Sequence, residues 1–460
     1  MIQKLDKNRI VTFLVIAILV APTPGVLFGT RSTQIIDLSI LLIGTLMLGI
    51  FLLSDKTSLN ELRTSVLKDP AILFIVFASL SVIASTVYGS IFFSQETSIT
   101  DAYEIYRYVF YLVYYLMICF YLTDVRKFFK ALFITVIAIE VFGILQFFNL
   151  FNINNHFGLL YTKNELLQMM IQKQHRITGT FGNPNVYGSF LIIVLSLALS
   201  IFYLKKNADA KFKFYLYTTI GLTLLSIFLT TSRQTVIVTL GLIVYLSIFH
   251  LIIRHVSFKE ALVKTLVVLA AYGLIGFITV PQIPYLHSAV QSMAKVFQSD
   301  GKPAVVEDED PSIDELLENE SPKVKEALES VNSFKNRYYY WDLNIEKFKQ
   351  SPILGAGPMK NGLSFADNSY LYVLARYGII GFIIYLLFFG YIFIKSFLLA
   401  FKERETTGRT YLAVTLNGMI VAYAVLGLVV ESWFNVESII IFFILLALLK
   451  KENGKSLRLS

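Results

Sequence analysis

Three stretches of the sequence place an arginine beside hydroxyl, amide or aromatic side chains, in connections between apolar runs. They hold Arg176 with Asn183 and Asn185, Arg233 within the sequence TTSRQ, and Arg337 with Trp341. The planar guanidinium group binds phosphate oxygens through two parallel hydrogen bonds, which lysine cannot reproduce. Asparagine side chains can hydrogen-bond hydroxyl groups, and aromatic rings can stack on sugar rings. The residue types in these three stretches are therefore compatible with a substrate that carries both phosphate and sugar.

Each stretch also has a purely structural interpretation. Arg176 could be a loop arginine at the lipid headgroups, next to a capped helix N-terminus. Arg233 lies in a turn so short that it must sit at the membrane boundary, where a cation either meets an anion or extends to lipid phosphate. The aromatic residues 338–341 could form an interfacial belt. The sequence alone leaves these alternatives open.

A carboxylate suited to acid–base chemistry is found at Asp367, which precedes Asn368 and Tyr370 at the start of a helical apolar run. Asp367 could orient or deprotonate a sugar hydroxyl, with Asn368 and Tyr370 contacting the substrate. A general base works best with a pKa near the working pH; burial at the membrane edge would raise the pKa of Asp367 towards it, whereas nearby arginines would lower this pKa. We therefore expect Asp367 to accept a hydrogen bond from the hydroxyl rather than to act as a strong base. A helix-capping aspartate is the alternative.

Other acidic residues give less specific signals. Glu140 lies within an apolar run, where it is either functional or paired with a neighbouring helix. Glu431 and Glu437 flank Trp433 and could either neutralise an arginine or contact substrate, and we favour structural pairing. The acidic patch at 307–320 is interpreted as a solvated loop face, because its spacing matches no defined cation-binding pattern. The histidines show no zinc-binding spacing either, so neither a metal nor another cofactor is expected.

The composition is that of a membrane protein. Hydrophobic residues make up 55% of the 460 residues and charged residues only 16%, which is too apolar for a soluble domain. A net charge of +8 would suggest a nucleic acid partner for a soluble protein. Here the charge is distributed according to membrane topology, so no nucleic acid partner is expected. Cys119 is the single cysteine, so no intramolecular disulfide can form.

Twelve apolar runs have about the 20 residues that a helix needs to cross the hydrocarbon core. They centre on residues 10–28, 35–53, 71–92, 105–122, 129–148, 185–204, 214–231, 234–253, 264–280, 377–399, 410–430 and 433–449. Of the 40 Lys and Arg residues, 24 fall in the alternate connections predicted to be internal, and few fall in the short outer ones. This bias predicts that both termini are cytoplasmic. The predicted fold class is an all-α polytopic membrane protein.

The predicted organisation has three regions. Residues 1–280 form transmembrane helices 1–9, with an outer loop at 149–184. Residues 281–376 form a large external loop that contains the catalytic elements and helical spacing over 321–333. Residues 377–460 form helices 10–12 and a cytoplasmic tail.

The order of these features resembles the O-antigen polymerase and ligase superfamily of membrane glycosyltransferases. The resemblance spans residues 170–390. It rests on Arg-x-x-Gly-x-x-x-Asn-Pro-Asn from Arg176, Ser-Arg at Arg233, Arg337 with Trp341, the turn at 352–357, and Asp367-Asn368. It implies a GT-C-like fold with short helices in the external loop. Ligases of the superfamily usually carry histidine at the position of Asp367, so aspartate favours a Wzy-type polymerase.

The resemblance implies polymerisation of polyprenyl-pyrophosphate-linked oligosaccharide repeat units into capsule, exopolysaccharide or O-antigen. The reaction would take place on the outer face of the bacterial cytoplasmic membrane and need no metal, because arginines hold the pyrophosphate. The implied partners are undecaprenyl-pyrophosphate-linked oligosaccharides, the bilayer, a chain-length regulator and a flippase. An O-antigen ligase or O-oligosaccharyltransferase of the same fold, and a transporter or flippase of lipid-linked sugars, remain alternatives. The candidate residues are, for catalysis, Asp367, Arg337 and Arg233, and for substrate binding, Arg176, Asn183, Asn185, Trp341, Asn368 and Tyr370.

Overall fold

The computed structural model describes most of the chain outside the external loop. The described residues are 6–28, 31–55, 58–60, 62, 68–162, 167–168, 171–172, 175–204, 209–253, 256–283, 287, 337–362, 366–403 and 407–451. The acidic patch at 307–320 and the predicted helix at 321–333 lie outside these residues.

An α-helix occurs at each of the twelve predicted apolar runs, and these helices are labelled α1 to α12. Their bounds are α1 Lys7–Val20, α2 Arg31–Ser54, α3 Pro70–Phe92, α4 Ile105–Tyr121, α5 Val125–Phe147, α6 Pro184–Leu204, α7 Ala210–Leu229, α8 Arg233–Ile253, α9 Phe258–Thr279, α10 Ser369–Lys402, α11 Gly408–Leu426 and α12 Val436–Lys451. A further helix over residues 337–350, here called the loop helix, precedes α10. No β-strand occurs among the described residues.

Nine of the labelled helices are long and apolar enough to cross a membrane. The other three, α1, α4 and α12, have 14, 17 and 16 residues, which is fewer than the about 20 residues of a typical spanning helix. The all-α polytopic membrane architecture is thereby confirmed. The number of twelve spans and the orientation of the termini stay predictions.

Helix α6 is the central element of the bundle, because nearly all of its side chains are buried. It packs against α7, α8, α11 and α12. Hydroxyl groups join it to α11, with Ser196 Oγ donating to the carbonyl oxygen of Thr415 at 2.9 Å and Tyr423 Oη donating to that of Ser189 at 3.0 Å. In contrast, α2 and α9 expose large apolar side chains such as Leu42 and Phe277, as expected for helices that face lipid.

Helix α10 is interrupted at Gly378, where the backbone adopts φ +63° and ψ −167°. A turn inserts at this break, and the backbone N–H of Ile379 donates to the carbonyl oxygen of Pro352 at 2.8 Å. A side chain at Gly378 would place its Cβ 2.2 Å from the carbonyl oxygen of Ile353. The predicted start of the third region at residue 377 falls next to this break, and α10 itself begins earlier, at Ser369.

Candidate active site

The segment that carries Arg176 is pinned to the turn between α7 and α8. Arg176 is buried, and its Nε donates to the carbonyl oxygen of Thr230 at 3.2 Å. The backbone N–H of Ile177 also donates to the carbonyl oxygen of Leu229 at 3.2 Å. The side chain of Gln146, on α5, accepts from the backbone N–H of Gly179 at 2.9 Å. The segment therefore contacts both α5 and the turn between α7 and α8. Because Thr230 belongs to the TTSRQ stretch, the stretches that carry Arg176 and Arg233 lie against each other.

The two asparagines of this segment organise the start of α6. The Oδ1 atom of Asn183 accepts from the backbone N–H of Asn185 at 2.8 Å, next to Pro184 at the first helical position. The Oδ1 atom of Asn185 accepts from a terminal nitrogen of Arg176 at 3.4 Å. Asn185 therefore also orients the guanidinium group. Their predicted contacts with substrate stay predictions.

Arg233 is the first residue of α8, and its side chain is half-buried. The preceding turn is closed by polar contacts, since the backbone N–H of Ser232 donates to Thr230 Oγ1 at 3.2 Å and Thr235 Oγ1 donates to Ser232 Oγ at 2.8 Å. The positive end of the α8 dipole lies at the same point and favours an anion there. The Arg233 guanidinium and the N-terminus of α8 therefore both contribute positive potential at this turn.

The loop helix brings the third arginine to the same turn. A terminal nitrogen of Arg337 donates to Oε1 of Gln234 at 3.3 Å, and Gln234 directly follows Arg233. The Nε atom of Arg337 lies 3.7 Å from Oδ2 of Asp367, where both side chains keep access to solvent. Arg337 therefore joins the α7–α8 turn to the predicted catalytic carboxylate.

Trp341 lies one turn along the loop helix and contacts the same acidic residue. Its indole Nε1 donates to the backbone carbonyl oxygen of Asp367 at 3.4 Å. The ring of Trp341 meets that of Tyr338 edge to face, with ring centres 5.4 Å apart. Tyr338 and Tyr339 are exposed, which suits either a sugar-stacking surface or an interfacial belt.

The residue that caps α10 is Asn368 rather than Asp367. The Oδ1 atom of Asn368 accepts from the backbone N–H groups of Tyr370 and Leu371 at 2.9 and 3.0 Å, and its Nδ2 donates to the carbonyl oxygen of Leu428 at 3.0 Å. The helix-cap alternative for Asp367 is therefore wrong. The predicted role of Asn368 in substrate binding stays a prediction, although its side chain already makes three contacts within the protein.

Asp367 has a left-handed backbone conformation with φ +45°, which is uncommon for a residue other than glycine. The carboxylate of Glu431, between α11 and α12, accepts hydrogen bonds from the backbone N–H groups of Ala366 and Asp367. Glu431 was interpreted from sequence as a partner of an arginine, and Arg376 does act on its charge. Its hydrogen bonds to the backbone next to Asp367 were not foreseen, because no local pattern links residues so far apart in the chain.

Burial and charge act in opposite directions on the two carboxyl groups. Burial raises the pKa of Asp367 above its usual value, although the Arg337 guanidinium acts to lower it. Burial likewise raises the pKa of Glu431, against the lowering effect of Arg376. Of the two arrangements that the sequence leaves open for Asp367, a pKa raised by burial is therefore the one that the structure supports. Desolvation by burial outweighs a single, partly exposed cation.

An apolar groove begins beside this site. Tyr370 lies at the end of the groove nearest Asn368. The Tyr370 hydroxyl donates to the carbonyl oxygen of Ala424 at 2.7 Å. The groove runs between α10 and α11 past Phe382 and Phe393, includes Trp433, and has a volume of about 300 Å³. It is an elongated surface suited to hydrocarbon, with one end next to Asn368 and Asp367.

A second cluster of charged residues surrounds Glu104, at the start of α4. It contacts the loop that follows the turn inserted at Gly378. Burial alone would raise the pKa of Glu104, but Arg107 and Lys360 lower it to about 2. Its carboxylate is 3.4 Å from Arg107, also pairs with Lys360, and accepts from the Tyr377 hydroxyl at 2.7 Å. The cluster ties α4 and α10 to the loop at Lys360. Lys360 and Tyr377 are far from Glu104 in the chain, so no local sequence pattern indicates the cluster.

A known protein family matches the region of the chain that contains most of the candidate site residues. Residues 218–386 match the family described as O-antigen ligase. This match supports the resemblance to the O-antigen polymerase and ligase superfamily. The matched region contains Arg233, Arg337, Trp341, Asp367 and Tyr370, so the superfamily resemblance seen in the sequence is confirmed. Comparison with curated proteins gives no match.

The superfamily match supports glycosyl transfer of the O-antigen type by a membrane enzyme. It does not cover Arg176, Asn183 and Asn185, which precede residue 218. These three residues are connected to the matched region by the contact of Arg176 with Thr230.

Two further sequence interpretations concern groups outside this site. Glu140 accepts a hydrogen bond from Thr223 of α7 at 2.5 Å, which agrees with pairing to a neighbouring helix. Among the described residues, no three His, Cys, Asp or Glu side chains lie together as metal ligands.

Proposed function

We propose that this superfamily member is a polymerase that joins polyprenyl-pyrophosphate-linked oligosaccharide repeat units at the outer face of the bacterial cytoplasmic membrane. The observation that carries the proposal is the contact of Arg337 with both Gln234 and Asp367. One residue thereby connects the cationic turn at Arg233 with a carboxylate. The charged groups of Arg337 and Asp367 are 3.7 Å apart and both partly accessible to solvent, and such ion pairs contribute little to stability, so stability alone gives little reason for the contact.

The reaction forms a bond between a hydroxyl oxygen of one repeat unit and the anomeric carbon of another. The bond from that carbon to the pyrophosphate oxygen breaks, and the pyrophosphate leaves with the electron pair. Arg176, Arg233 and Arg337 stabilise the charge that develops on the leaving group, which is where electrostatic stabilisation has most effect. The proton of the attacking hydroxyl passes to Asp367.

The raised pKa of Asp367 supports a proton-accepting role. A carboxylate with a higher pKa holds a transferred proton better, and general bases work best when their pKa is close to the working pH. Arg337 keeps the charged form accessible by acting in the opposite direction. The groove between α10 and α11 offers an apolar surface for the isoprenoid chain, and the aromatic residues Tyr338 and Trp341 offer one for sugar.

A ligase is the second candidate, because the matching family is described as O-antigen ligase. Asp367 in place of the histidine usual in ligases favours the polymerase. A deletion strain separates the candidates through mass spectrometry of its polyprenyl-linked glycans. Loss of a polymerase leaves single repeat units on the lipid carrier, whereas loss of a ligase leaves long chains on it.

The same strain also tests transport of lipid-linked sugars. If the protein were a flippase, the accumulated single repeats would stay protected from a glycosidase added to intact spheroplasts. Single repeats that the glycosidase removes would support the polymerase. Protected repeats, or accumulated long chains, would contradict it.

A further inference from the structure

A cavity lies at the end of the bundle opposite Asp367. It has a volume of about 200 Å³ and opens between the ends of α3, α10, α11 and α12. Four basic residues line it, namely Lys68, Lys395, Arg409 and Lys450. The distribution of basic residues in the sequence predicts that this end faces the cytoplasm.

The single carboxylate that lines the cavity is already engaged within the protein. Asp69 is buried, pairs with Lys450, and accepts hydrogen bonds from the Tyr115 hydroxyl at 2.8 Å and from the backbone N–H of Ala71 at 2.9 Å. Its charge therefore offsets that of Lys450. Lys68 and Lys395 are both exposed at the mouth, and they leave a positive potential there.

Arg409 provides a hydrogen-bond donor inside the same cavity. One terminal nitrogen pairs with Glu403 at 3.1 Å. Its Nε atom is buried and has no hydrogen-bond partner among the residues that the structure describes. A buried guanidinium N–H without an acceptor is costly, and a phosphate oxygen in the cavity would satisfy it.

The wall of the cavity is apolar. Leu399, Leu446 and Leu449 line it together with the basic residues. A free phosphate ion gains nothing from such a wall, whereas an amphiphile can place its headgroup on the cations and its chain against the leucines. Basic cavities between transmembrane helices on the cytoplasmic side bind anionic lipid headgroups for this reason.

We propose that this cavity binds the headgroup of an anionic phospholipid, held by Lys68, Lys395 and Arg409. The site is separate from the proposed glycosyl-transfer site and does not depend on it. The lipid bridges the ends of α3, α10 and α11. It thereby stabilises α10, whose opposite end directly follows Asp367 and Asn368.

The proposal is tested with purified protein in nanodiscs of phosphatidylcholine that contain an increasing fraction of phosphatidylglycerol. Native mass spectrometry is then used to count the phosphatidylglycerol molecules retained after release. The double variant Lys395→Gln with Arg409→Gln leaves the Lys450–Asp69 pair intact. We expect its preference for phosphatidylglycerol to fall about fivefold for each basic residue lost. The matched double variant Lys213→Gln with Lys259→Gln removes equal charge from the same end, outside the cavity, and should keep the wild-type preference.

Three outcomes would overturn the proposal. The wild type could show no preference for phosphatidylglycerol, or the two double variants could lose it equally, which would indicate a general surface effect. Inorganic phosphate could raise the thermal stability of the wild type in phosphatidylcholine nanodiscs as much as phosphatidylglycerol does, which would indicate a site for a free anion. If Lys395→Gln with Arg409→Gln fails to fold, Lys68→Gln alone is measured in the same way, with a fivefold loss expected.

Discussion

The guanidinium group of Arg337 lies 3.7 Å from the carboxylate of Asp367, and it also contacts Gln234, at the start of α8. Asp367 is also held through its backbone, by Trp341 on one side and by Glu431 on the other. A carboxylate with an unusual backbone conformation is thus held by two elements, the loop helix and the connection between α11 and α12. Such convergence is expected where a reacting group must be held in a defined geometry.

The pH dependence of glycosyl transfer should report the protonation of Asp367. Burial raises the pKa of this carboxyl, so activity should begin to fall, as the pH is lowered, at a pH above the ordinary range of aspartate. Arg337 acts to lower this pKa. Replacing it in Arg337→Gln should therefore move the acid limb of the pH–rate profile to higher pH. An acid limb in the same place as that of the wild type would indicate that another group controls it.

Removal of the carboxylate gives a companion prediction. Asp367→Asn keeps the shape of the side chain but cannot take the proton. Polymer formation should fall by on the order of a hundred-fold, within the usual range for general acid–base catalysis, while binding of the lipid-linked substrate is retained. The comparison is made on purified protein in vesicles with a lipid-linked repeat unit. Equal polymer yields from wild type, Asp367→Asn and Asp367→Ala would exclude a catalytic role.

We expect that a positive charge alone at position 233 is not enough to bind the leaving pyrophosphate. Arg233→Lys keeps a cation at the start of α8 but loses the planar pair of donors. If Arg233 contacts the leaving pyrophosphate in the transition state, the rate should fall about a hundred- to thousand-fold. Arg31→Lys, at a different outer connection, is the control and should keep full activity. Near-normal activity of Arg233→Lys would instead favour an arginine that extends to lipid phosphate.

The elements of the fold could be predicted from sequence, because an apolar run long enough to cross the membrane is a local property. Their ends were less predictable. The start of α10 at Ser369 was visible as helical spacing, but the break at Gly378 depends on a turn that comes from earlier in the chain. The cap was ambiguous, since Asp367 and Asn368 are both good N-cap residues. Only the fold shows that Asn368 takes this position.

The candidate site was predictable in its residue types but not in its contacts. Arginines in outer connections between apolar runs stand out, whereas the pairing of Glu431 with the backbone at Ala366, or of Glu104 with Lys360, depends on how distant helices pack. The pKa of Asp367 could not be decided from sequence for the same reason. Burial and a nearby cation were both foreseen as opposing effects, but which of them is larger is a tertiary property.

Glu431 is predicted to be a positioning residue for Asp367. Glu431→Gln keeps an oxygen that can accept from the backbone N–H of Ala366, whereas Glu431→Ala removes it. We expect Glu431→Ala to lower kcat with little change in KM, and Glu431→Gln to restore much of the rate. Glu437→Gln, in the first turn of α12, is the control. Equal kcat values for the alanine and glutamine variants would show that the hydrogen bond does not position Asp367.

The break in α10 should be essential for stability. Gly378 has a left-handed φ of +63°, and a Cβ atom there would lie 2.2 Å from the carbonyl oxygen of Ile353. Backbone strain of this kind costs on the order of 1–3 kcal/mol, and the steric overlap adds to it. Gly378→Ala should therefore lower the Tm of the detergent-purified protein clearly. Gly390→Ala lies in the same helix, where a Cβ would meet nothing within 4 Å, and it should keep or slightly raise the Tm because alanine favours helix. Equal Tm values for the two variants would mean that the inserted turn can separate from α10 at little cost, and that the break does not fix the geometry of the residues before it.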